Sequence, residues 1–358
     1  MKTYLFCSLY YKKSLVTGGN KRFENFIFYF HQFLNQDENI IVVIKKGNIP
    51  EKLIGLNRIS FFEVPSFFMF DRLFSYIYLS IKFYRSKRMM VVSDFMPIPN
   101  KALSKHLHYQ LIHDIRNFTK YKRASYLNTA DKLQMSQWKN ANKIITVSHF
   151  TKNELINKCS IKSNDIFVSP NGLDDRYYDS KSPIDRDIDI TYIATFEKRK
   201  NHKHLIKALS RYSGYKQIKL CLIGKDLGTF QDIKKILSKL ENINVSYIES
   251  IPDENDIIAI YDRTKLFVYP SLYEGFGMPL IEAISRGCTV LCSEIPVFKE
   301  IAGDIPIYFA PDCDPQYLMD LIQKELNSED LIETDNSSFL EKYRWSYITK
   351  QFYLNVKN

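Results

Sequence analysis

Two carboxylates, Glu274 and Glu282, stand eight residues apart across a loop that contains Gly275 and Gly277. Glycine lets backbone approach a ligand closely, and the helix expected after the loop offers unpaired N–H groups and partial positive charge. An anion such as a phosphate suits this position, and a carboxylate beside it is a good acceptor for sugar hydroxyls. The spacing alone is weak evidence, because such a pair occurs about once by chance in a chain of this length. The alternative is a buried strand and helix with two solvated carboxylates.

A run of three cations supplies charge of the opposite sign. Arg199 and Lys200 follow Lys198 between a predicted strand and a predicted helix. Arg gives planar bidentate contacts and Lys gives a compact charge, so the two could hold a diphosphate. A solvated basic turn is the alternative. Lys225 follows Gly224 at the end of another predicted strand, at residues 218–223, which makes a second ligand-side turn.

The elements that position these residues can be predicted from apolar runs and from turn chemistry. An apolar run over residues 266–269 predicts a buried strand before the two-glutamate loop. The helix after the loop has Pro279 in its first turn and Gly287 just past its end, which is the expected asymmetry. The alternation of short apolar runs with longer periodic stretches predicts an α/β fold with parallel sheets and covering helices.

The first half of the chain shows the same alternation. Gly19 lies between a predicted strand at residues 4–9 and a predicted helix at residues 21–34, where open α/β sheets bind ligands. An ordinary turn explains a glycine there almost as well. His113 closes a predicted strand at residues 109–113 and faces the same edge.

The stretch from Glu274 to Glu282 resembles the Glu-x7-Glu signature of the retaining nucleotide-sugar glycosyltransferases of family 4, also called group 1. The residues 287–293 and 296–300 resemble that family's next strand and next short helix. The resemblance is strong over residues 188–305, moderate over 108–175 and weak before that. It implies the GT-B fold, with two facing Rossmann-like α/β/α domains. The implied boundaries are 1–175 for an acceptor-binding domain, 176–338 for a nucleotide-sugar-binding domain, and 339–358 for a terminal helix that packs back on the first domain. The polar stretch at residues 174–187 is predicted to be the linker between the domains, and the last helix is predicted over residues 339–356.

The resemblance also implies roles for single residues. Glu282 would accept from ribose hydroxyls, and Glu274 from hydroxyls of the donor sugar. His113 would lie beside the transferred sugar, and Ile251 near the nucleotide base. Charge on the departing diphosphate would be stabilised by backbone N–H groups and two cations, here Phe276, Gly277, Met278, Lys200 and Arg199. The family's usual Gly-Arg is Ala194-Thr195 in this chain, which puts an early arginine contact in doubt.

The implied reaction is transfer of a hexosyl group from a nucleoside-diphosphate sugar to an acceptor hydroxyl, with retained anomeric configuration. No metal is expected, because the cations and N–H groups can replace one. A nucleotide-sugar epimerase or a phosphorylase of the same architecture is the alternative among enzymes. A basic nucleic-acid-binding protein is the alternative from another class, although no recognised nucleic-acid motif occurs.

Composition bounds the compartment. The 358 residues suggest two domains, and the six cysteines are scattered without a CxxC pair, which favours a reducing, cytoplasmic compartment. The residues 3–11 are expected to form a strand and not a signal peptide. The absence of a run of about eighteen uncharged apolar residues predicts no transmembrane helix.

Charge is unevenly distributed along the chain. Residues 1–180 contain 27 Lys and Arg against 14 Asp and Glu, whereas the remainder contains 23 against 26. A basic first half predicts an anionic partner for that half, for which a lipid-linked saccharide acceptor and an acidic membrane surface both qualify. By analogy with the family, this favours the biosynthesis of a bacterial surface polysaccharide.

The stretch 67–88 is rich in aromatic residues and ends in cations. It could form an amphipathic helix on a membrane surface or a helix that faces the protein core, and apolar residues on most of its faces favour the core. The residues concerned are Phe67, Phe68, Phe70, Phe74, Tyr76, Tyr78, Phe83, Tyr84, Arg85, Lys87 and Arg88. A second basic run, Lys120, Lys122 and Arg123, could face an anionic acceptor.

Overall fold

The chain folds into two α/β units. The computed structural model describes residues 2–14, 17–67, 71–94, 105–121, 129–179, 185–328 and 336–357. Unit 1 comprises Met1–Gly172 together with Tyr343–Asn358, and unit 2 comprises Leu173–Lys342. Phe68, Phe70, Lys122 and Arg123, and residues 180–184 of the predicted linker, lie outside the described residues.

Unit 1 is built on parallel strands linked by crossover helices. Its core lies between the sheet and these helices, and one cluster packs Leu79 and Phe83 against Val43, Val64 and Val91. The elements up to residue 172 are β1 (Lys2–Cys7), α1 (Gly18–Phe30), β2 (Glu38–Lys45), β3 (Ile59–Val64), α2 (Asp71–Phe83), β4 (Met90–Asp94), β5 (Leu107–Ile112), α3 (Thr129–Asn140), β6 (Lys143–Thr146), α4 (His149–Cys159) and β7 (Ile166–Val168).

The described strands of unit 1 form one sheet in the order β3-β2-β1-β4-β5-β6-β7, and every pairing in it is parallel. In the register of β1 and β2, Lys2 lies opposite Glu38 and Cys7 lies opposite Val43. The strand order reverses between β1 and β4, which is the topological switch point where such sheets bind ligands. The hydroxyl of Thr17 caps the start of α1 there and accepts a hydrogen bond from the N–H of Asn20 at 3.2 Å.

Unit 2 repeats the architecture with a shorter sheet. Its elements are β8 (Ile188–Ile193), α5 (His202–Leu209), β9 (Ile218–Ile223), α6 (Phe230–Leu237), β10 (Ile243–Ile248), α7 (Glu254–Arg263), β11 (Thr264–Tyr269), α8 (Met278–Ser285), β12 (Thr289–Ser293), α9 (Pro296–Ala302), β13 (Ile307–Phe309), α10 (Pro315–Asn327) and α11 (Ser337–Leu340). The described strands run in the order β10-β9-β8-β11-β12-β13, all parallel. The order therefore reverses between β8 and β11. The predicted α/β fold class is confirmed.

The C-terminal segment differs from the single helix predicted over residues 339–356. A 3-10 turn at Glu341–Tyr343 follows α11, and helix α12 (Trp345–Lys357) begins only after it. The break falls where the chain passes from unit 2 to unit 1. On one side the hydroxyl of Tyr178 donates to the carbonyl of Leu340 at 3.0 Å within unit 2, and on the other the buried Trp345 packs against Gly172 within unit 1.

The polar stretch at residues 174–187 was predicted to be a linker, but its described parts are packed into unit 2. Tyr177 is buried, and its hydroxyl donates to Glu254 Oε1 at 2.6 Å. The guanidinium of Arg186 donates to the carbonyls of Arg286 and Gly287, just past the end of α8. The prediction was wrong at these positions because it weighed average polarity and not the aromatic and guanidinium groups within the stretch.

Candidate active site

The candidate site in unit 2 lies at the switch point between β8 and β11. Because all strands of the sheet are parallel, their carboxyl ends share one edge. Residues 194–201 leave β8 at this edge, and residues 270–277 leave β11. The N–H of Leu272 donates to the carbonyl of Arg199 at 2.7 Å, so the two segments are joined by backbone as well as by side chains.

The structure brings Arg199, Lys200 and Glu274 into one ion cluster. Lys200 Nζ lies 2.5 Å from Glu274 Oε1, and an Arg199 nitrogen lies 2.9 Å from Glu274 Oε2. The other terminal nitrogen of Arg199 lies 2.8 Å from Glu197. The hydroxyl of Tyr269, at the end of β11, donates to Glu274 Oε1 at 3.0 Å. Two cations and two carboxylates therefore balance within the cluster.

Glu274 is ionised at neutral pH. Its residue is 6% exposed, and burial alone would raise the pKa of the carboxyl group. The Lys200 ammonium and the Arg199 guanidinium outweigh burial and lower the pKa of Glu274 to about 2. The alternative of two solvated carboxylates is wrong, because Glu282 is also buried, at 3% exposed.

Four aromatic side chains near this cluster were not predicted from the sequence. Tyr192, the last residue but one of β8, donates its hydroxyl to the carbonyl of Lys200 at 2.6 Å, which fixes the backbone of the basic turn. Tyr269 binds Glu274 as described above. The ring of His202 stacks on Phe196 at 4.0 Å, and burial lowers the pKa of His202 to about 3, so its ring is neutral. The sequence signal for Tyr192 and Tyr269 was a tyrosine in one of the last two positions of a mostly buried strand.

The loop after Glu274 leads directly into the start of α8. Phe276 and Gly277 are buried and Met278 is half-buried at the first position of the helix. Gly277 has φ of +97°, and a Cβ on it would lie 2.7 Å from the ring of Phe298. Glycine is therefore required twice, by the backbone conformation and by the neighbouring ring.

Glu282 belongs to a different group of side chains. It lies on α8 and accepts a hydrogen bond from the hydroxyl of Tyr261 on α7 at 3.0 Å. Burial, followed by the Glu282 charge, raises the pKa of Tyr261 well above its usual value, so the phenol remains the donor. Tyr177 packs beside Tyr261 and binds Glu254, which makes a second buried pair of tyrosine and glutamate. Sequence reasoning missed Tyr261, Tyr177 and Glu254.

The remaining predicted residues of unit 2 follow neighbouring strands at the same edge. Lys225 is exposed after β9, and Ile251 is half-buried after β10. A Cβ on Gly224 would lie 1.9 Å from the carbonyl oxygen of Ala194, so this glycine permits close contact of the turns after β8 and β9.

Gly19 and His113 lie in unit 1 and are close to each other there. A Cβ built on Gly19 would lie 4.0 Å from His113 Nε2, an ordinary packing distance. Gly19 is in the first turn of α1, and His113 follows β5. Asp114, next in the chain, accepts a hydrogen bond from the N–H of Arg116 at 3.1 Å, which turns the chain after the histidine.

The described ranges contain neither a membrane-spanning helix nor a cluster of metal ligands. No helix there is long and apolar enough to cross a bilayer. Among the same residues, no group of three His, Cys, Asp or Glu side chains is arranged to hold a metal ion.

Comparison with known families decides the identity of unit 2. Residues 175–337 match the family model described as glycosyl transferases group 1. This segment is a group 1 glycosyltransferase domain. The glycosyltransferase domain contains Glu197, Arg199, Lys200, Glu274 and Glu282, so every charged residue described above for unit 2's site lies within the matched range. The family predicted from the two-glutamate loop is confirmed.

Curated proteins of known name match part of the chain. The chain is 28% identical over 217 residues to O-antigen chain mannosyltransferase B of Escherichia coli, covering 56% of each chain. It is 25% identical over 156 residues to a Campylobacter jejuni N-acetylgalactosamine-N,N'-diacetylbacillosaminyl-diphospho-undecaprenol 4-alpha-N-acetylgalactosaminyltransferase, covering 42% of this chain and 41% of that protein. The matches thus span about half the length of these relatives.

A solved structure resembles the whole chain. The structure of Anabaena Alr3699/HepE in complex with UDP-glucose superposes with a TM-score of 0.75 at 14% identity and covers 100% of both chains. At this identity the likeness shows the fold, which is GT-B, as the sequence predicted.

Proposed function

We propose that the protein transfers a hexosyl group from a nucleoside-diphosphate sugar to an acceptor hydroxyl, with retained anomeric configuration. The bond between the anomeric carbon and the diphosphate breaks, the acceptor oxygen bonds to that carbon, and the nucleoside diphosphate and the hydroxyl proton leave. Mannose is the first sugar to test, because a relative is named as a mannosyltransferase.

One observation carries the proposal. Arg199, Lys200 and Glu274 converge at the switch point of a group 1 glycosyltransferase domain, next to the N-terminus of α8. Switch points and helix N-termini are where α/β sheets bind nucleotide phosphates. Two cations beside such a helix end suit a diphosphate.

In the proposed chemistry, the main task of the site is to stabilise the departing diphosphate. Arg199 and Lys200, with backbone N–H groups at Phe276, Gly277 and Met278, stabilise the negative charge that grows on it, and no metal is required. Glu274 holds both cations in place, and its remaining acceptor sites serve hydroxyls of the donor sugar. Because the cluster is neutral without a donor, phosphate oxygens compete with Glu274 for the cations when the donor binds.

Further contacts are proposed for the rest of the donor and for the acceptor. Glu282 binds the ribose, and the turns at Lys225 and Ile251 lie near the base. Unit 1 binds the acceptor through residues that include Gly19 and His113. The acceptor is a lipid-linked saccharide, supported by the basic first half of the chain and by a relative whose name includes diphospho-undecaprenol. The same positive charge supports contact with an acidic membrane surface.

The reaction is tested by incubating the purified protein with UDP-, GDP-, dTDP- and ADP-sugars and a lipid-linked saccharide, with and without a chelator. We expect one donor to increase the mass of the acceptor by one hexose. NMR should show that the anomeric configuration in the product is the same as in the donor, and a chelator should leave the activity unchanged. An isomerised donor without product would favour an epimerase. Loss of activity with the chelator would contradict the metal-independent mechanism.

The two glutamates should affect different kinetic constants. Glu282→Gln replaces a charged acceptor by a neutral one and so weakens contacts with ribose that are made in the ground state and the transition state alike, so the donor KM should rise more than kcat falls. Glu274→Gln disturbs the cations that act on the leaving group, so kcat should fall more strongly. Steady-state kinetics with the matched donor measures both constants, and the opposite pattern would mean that the two roles are reversed.

A further inference from the structure

Helix α2 in unit 1 presents apolar residues on two opposite faces. Ser75, Leu79 and Phe83 point into the unit and are buried at 0%, 1% and 8% exposed. At about 100° per residue, Phe74, Ile77 and Ile81 lie on the other side of the helix. They are 44%, 46% and 70% exposed, and Tyr84, just past the helix end, is 70% exposed. We call these four exposed residues the apolar stripe.

Exposed cations adjoin the apolar stripe at the C-terminal end of α2. Lys82, Arg85, Lys87 and Arg88 are all exposed, and we call them the basic cluster. Lys105 donates to the carbonyl of Tyr84 and lies 5.9 Å from the centre of its ring, which brings another exposed cation to the stripe. Residues 72–93 include five Lys or Arg and no Asp or Glu.

We propose that the apolar stripe and the basic cluster form the face through which the protein docks on an anionic lipid surface. A helix of 13 residues is about 20 Å long, too short to cross a bilayer but suited to lying in its interface. The stripe enters the boundary between head groups and acyl chains, and the basic cluster pairs with acidic head groups. The opposite face remains packed in unit 1 throughout.

Charge favours a lipid surface over a second copy of this chain. Two copies that met through the apolar stripe would bring their basic clusters close together, with no acidic side chain from residues 72–93 to compensate. Four partly exposed side chains also offer far less than the roughly 1,200 Å² that a stable protein interface buries. A layer of acidic head groups supplies opposite charge over the whole face.

The inference deepens the membrane contact proposed above and rests on it for the kind of partner. It requires nothing of the transfer reaction. It also resolves the two sequence-based interpretations of residues 67–88, because one face of α2 is in the core and the other is available to a membrane. The side chains of Arg72, Leu73 and Tyr76 are outside the described part and are not used.

Sedimentation of the full chain with vesicles tests the proposal. Vesicles of phosphatidylcholine alone are compared with vesicles containing one quarter phosphatidylglycerol, at low and high salt. Wild type should bind the acidic vesicles at low salt and lose binding as salt rises. Arg85→Ala/Lys87→Ala/Arg88→Ala should weaken binding by about 100-fold, since each cation near an acidic surface contributes about fivefold.

The apolar stripe is tested by Ile77→Glu/Ile81→Glu, which should weaken binding at least about tenfold. The matched control is Leu354→Glu, because Leu354 lies on another helix of unit 1 and is 47% exposed, which is close to the 46% of Ile77. This control should bind like wild type. Circular dichroism should show all variants folded, since each replaced side chain is exposed. If the double variant did not fold, the triple alanine variant alone would decide.

Three outcomes would overturn the inference. Equal binding of wild type to neutral and acidic vesicles would contradict the role of charge, and equal loss in Leu354→Glu would contradict the role of the apolar stripe. A dimer of wild type that dissociates in Ile77→Glu/Ile81→Glu would show that a second copy covers the face. Donor binding measured on the same variants should be unchanged, so a failure of the docking proposal is separate from a failure of the transfer proposal.

Discussion

Glu274 binds the same two cations that were expected to hold a diphosphate. Lys200 Nζ lies 2.5 Å from one carboxylate oxygen, and Arg199 binds the other. Arg199 and Lys200 are 75 and 74 residues from Glu274 in sequence. Their association with Glu274 therefore depends on the fold and not on local spacing. The carboxylate thus fixes the position of the cations before a donor binds.

Lys200→Ala should lower turnover by about 100-fold or more, because it removes one of two cations aimed at the leaving group. Lys198→Ala is the matched control, since Lys198 occupies the same 3-10 turn but is exposed. Comparing kcat of the two variants with the wild type measures the effect. Similar kcat values for both variants would remove Lys200 from the mechanism.

Glu274 should also make the free energy of unfolding depend on pH in the acid range. Its pKa is lowered from 4.5 to about 2 in the folded protein, so the ion pairs contribute fully above about pH 4.5 and are lost as pH falls towards 2. Glu274→Gln leaves Arg199 and Lys200 with only the carboxylate of Glu197, which should cost about 3–5 kcal/mol at neutral pH. The difference in unfolding free energy between variant and wild type should shrink below about pH 4. A difference that stayed constant from pH 7 to pH 2.5 would contradict this.

The charged site residues could be predicted from the sequence because each has a local signal. Glu274 stands beside two glycines, and Lys200 stands in a run of cations. Their pairing could not be predicted, because it is set by the alignment of β8 with β11. Tyr192 and Tyr269 look like ordinary members of apolar strands in sequence, and only the three-dimensional structure shows that their hydroxyls reach the basic turn and Glu274.

At the scale of the elements, inner strands such as β9 were predictable, whereas the edge strands β3, β7 and β13 were not. β9 was predicted with the observed bounds, because it is an apolar run between turn signals. β3 was missed, since the exposed Ser60 and Glu63 interrupt its apolar residues at the edge of the sheet. β7 and β13 contain three residues each, too few for a periodic pattern.

Gly277 at the start of α8 allows the backbone and steric contributions to be separated. Gly277→Ala should destabilise unit 2 by about 2–5 kcal/mol, because alanine is strained at φ +97° and its Cβ would meet Phe298. Gly228→Ala is the control: its φ is +103°, but no atom lies within 4 Å of the new Cβ. It should cost only about 1–2 kcal/mol. Denaturant unfolding of both variants measures the difference, and equal losses would exclude a role for the Phe298 ring.

At the scale of the whole molecule, α12 is the part of unit 1 that follows unit 2 in the chain. Its buried face meets α1, where Phe26 contacts both Trp345 and Phe352. At the other end of the helix, the hydroxyls of Tyr353 and Tyr4 both donate to the buried Glu38. Burial alone would raise the pKa of Glu38, but these hydrogen bonds and that of the Asn35 N–H lower it, so the carboxylate is retained. Unit 1 is therefore completed by a helix that follows unit 2 in the sequence.

Trp345→Ala should destabilise unit 1 by about 3–5 kcal/mol and leave unit 2 unchanged. Both tryptophans of the sequence, Trp138 and Trp345, lie in unit 1, so the fluorescence of Trp138 still reports this unit in the variant. We expect its transition to move to lower denaturant. Leu354→Ala, on an exposed position of the same helix, should leave the transition in place. Unfolding of both units together would contradict an effect confined to unit 1.

The position of α12 has a consequence for synthesis on the ribosome. Domains commonly fold in the order in which they are translated, the N-terminal one first. Here residues 1–172 are translated first but lack the helix that covers Phe26 and Phe30, whereas all of unit 2 is translated before that helix exists. The first unit to be translated is thus the last that can be completed. Until α12 has been translated, the aromatic surface of unit 1 stays uncovered, and a chaperone could bind it.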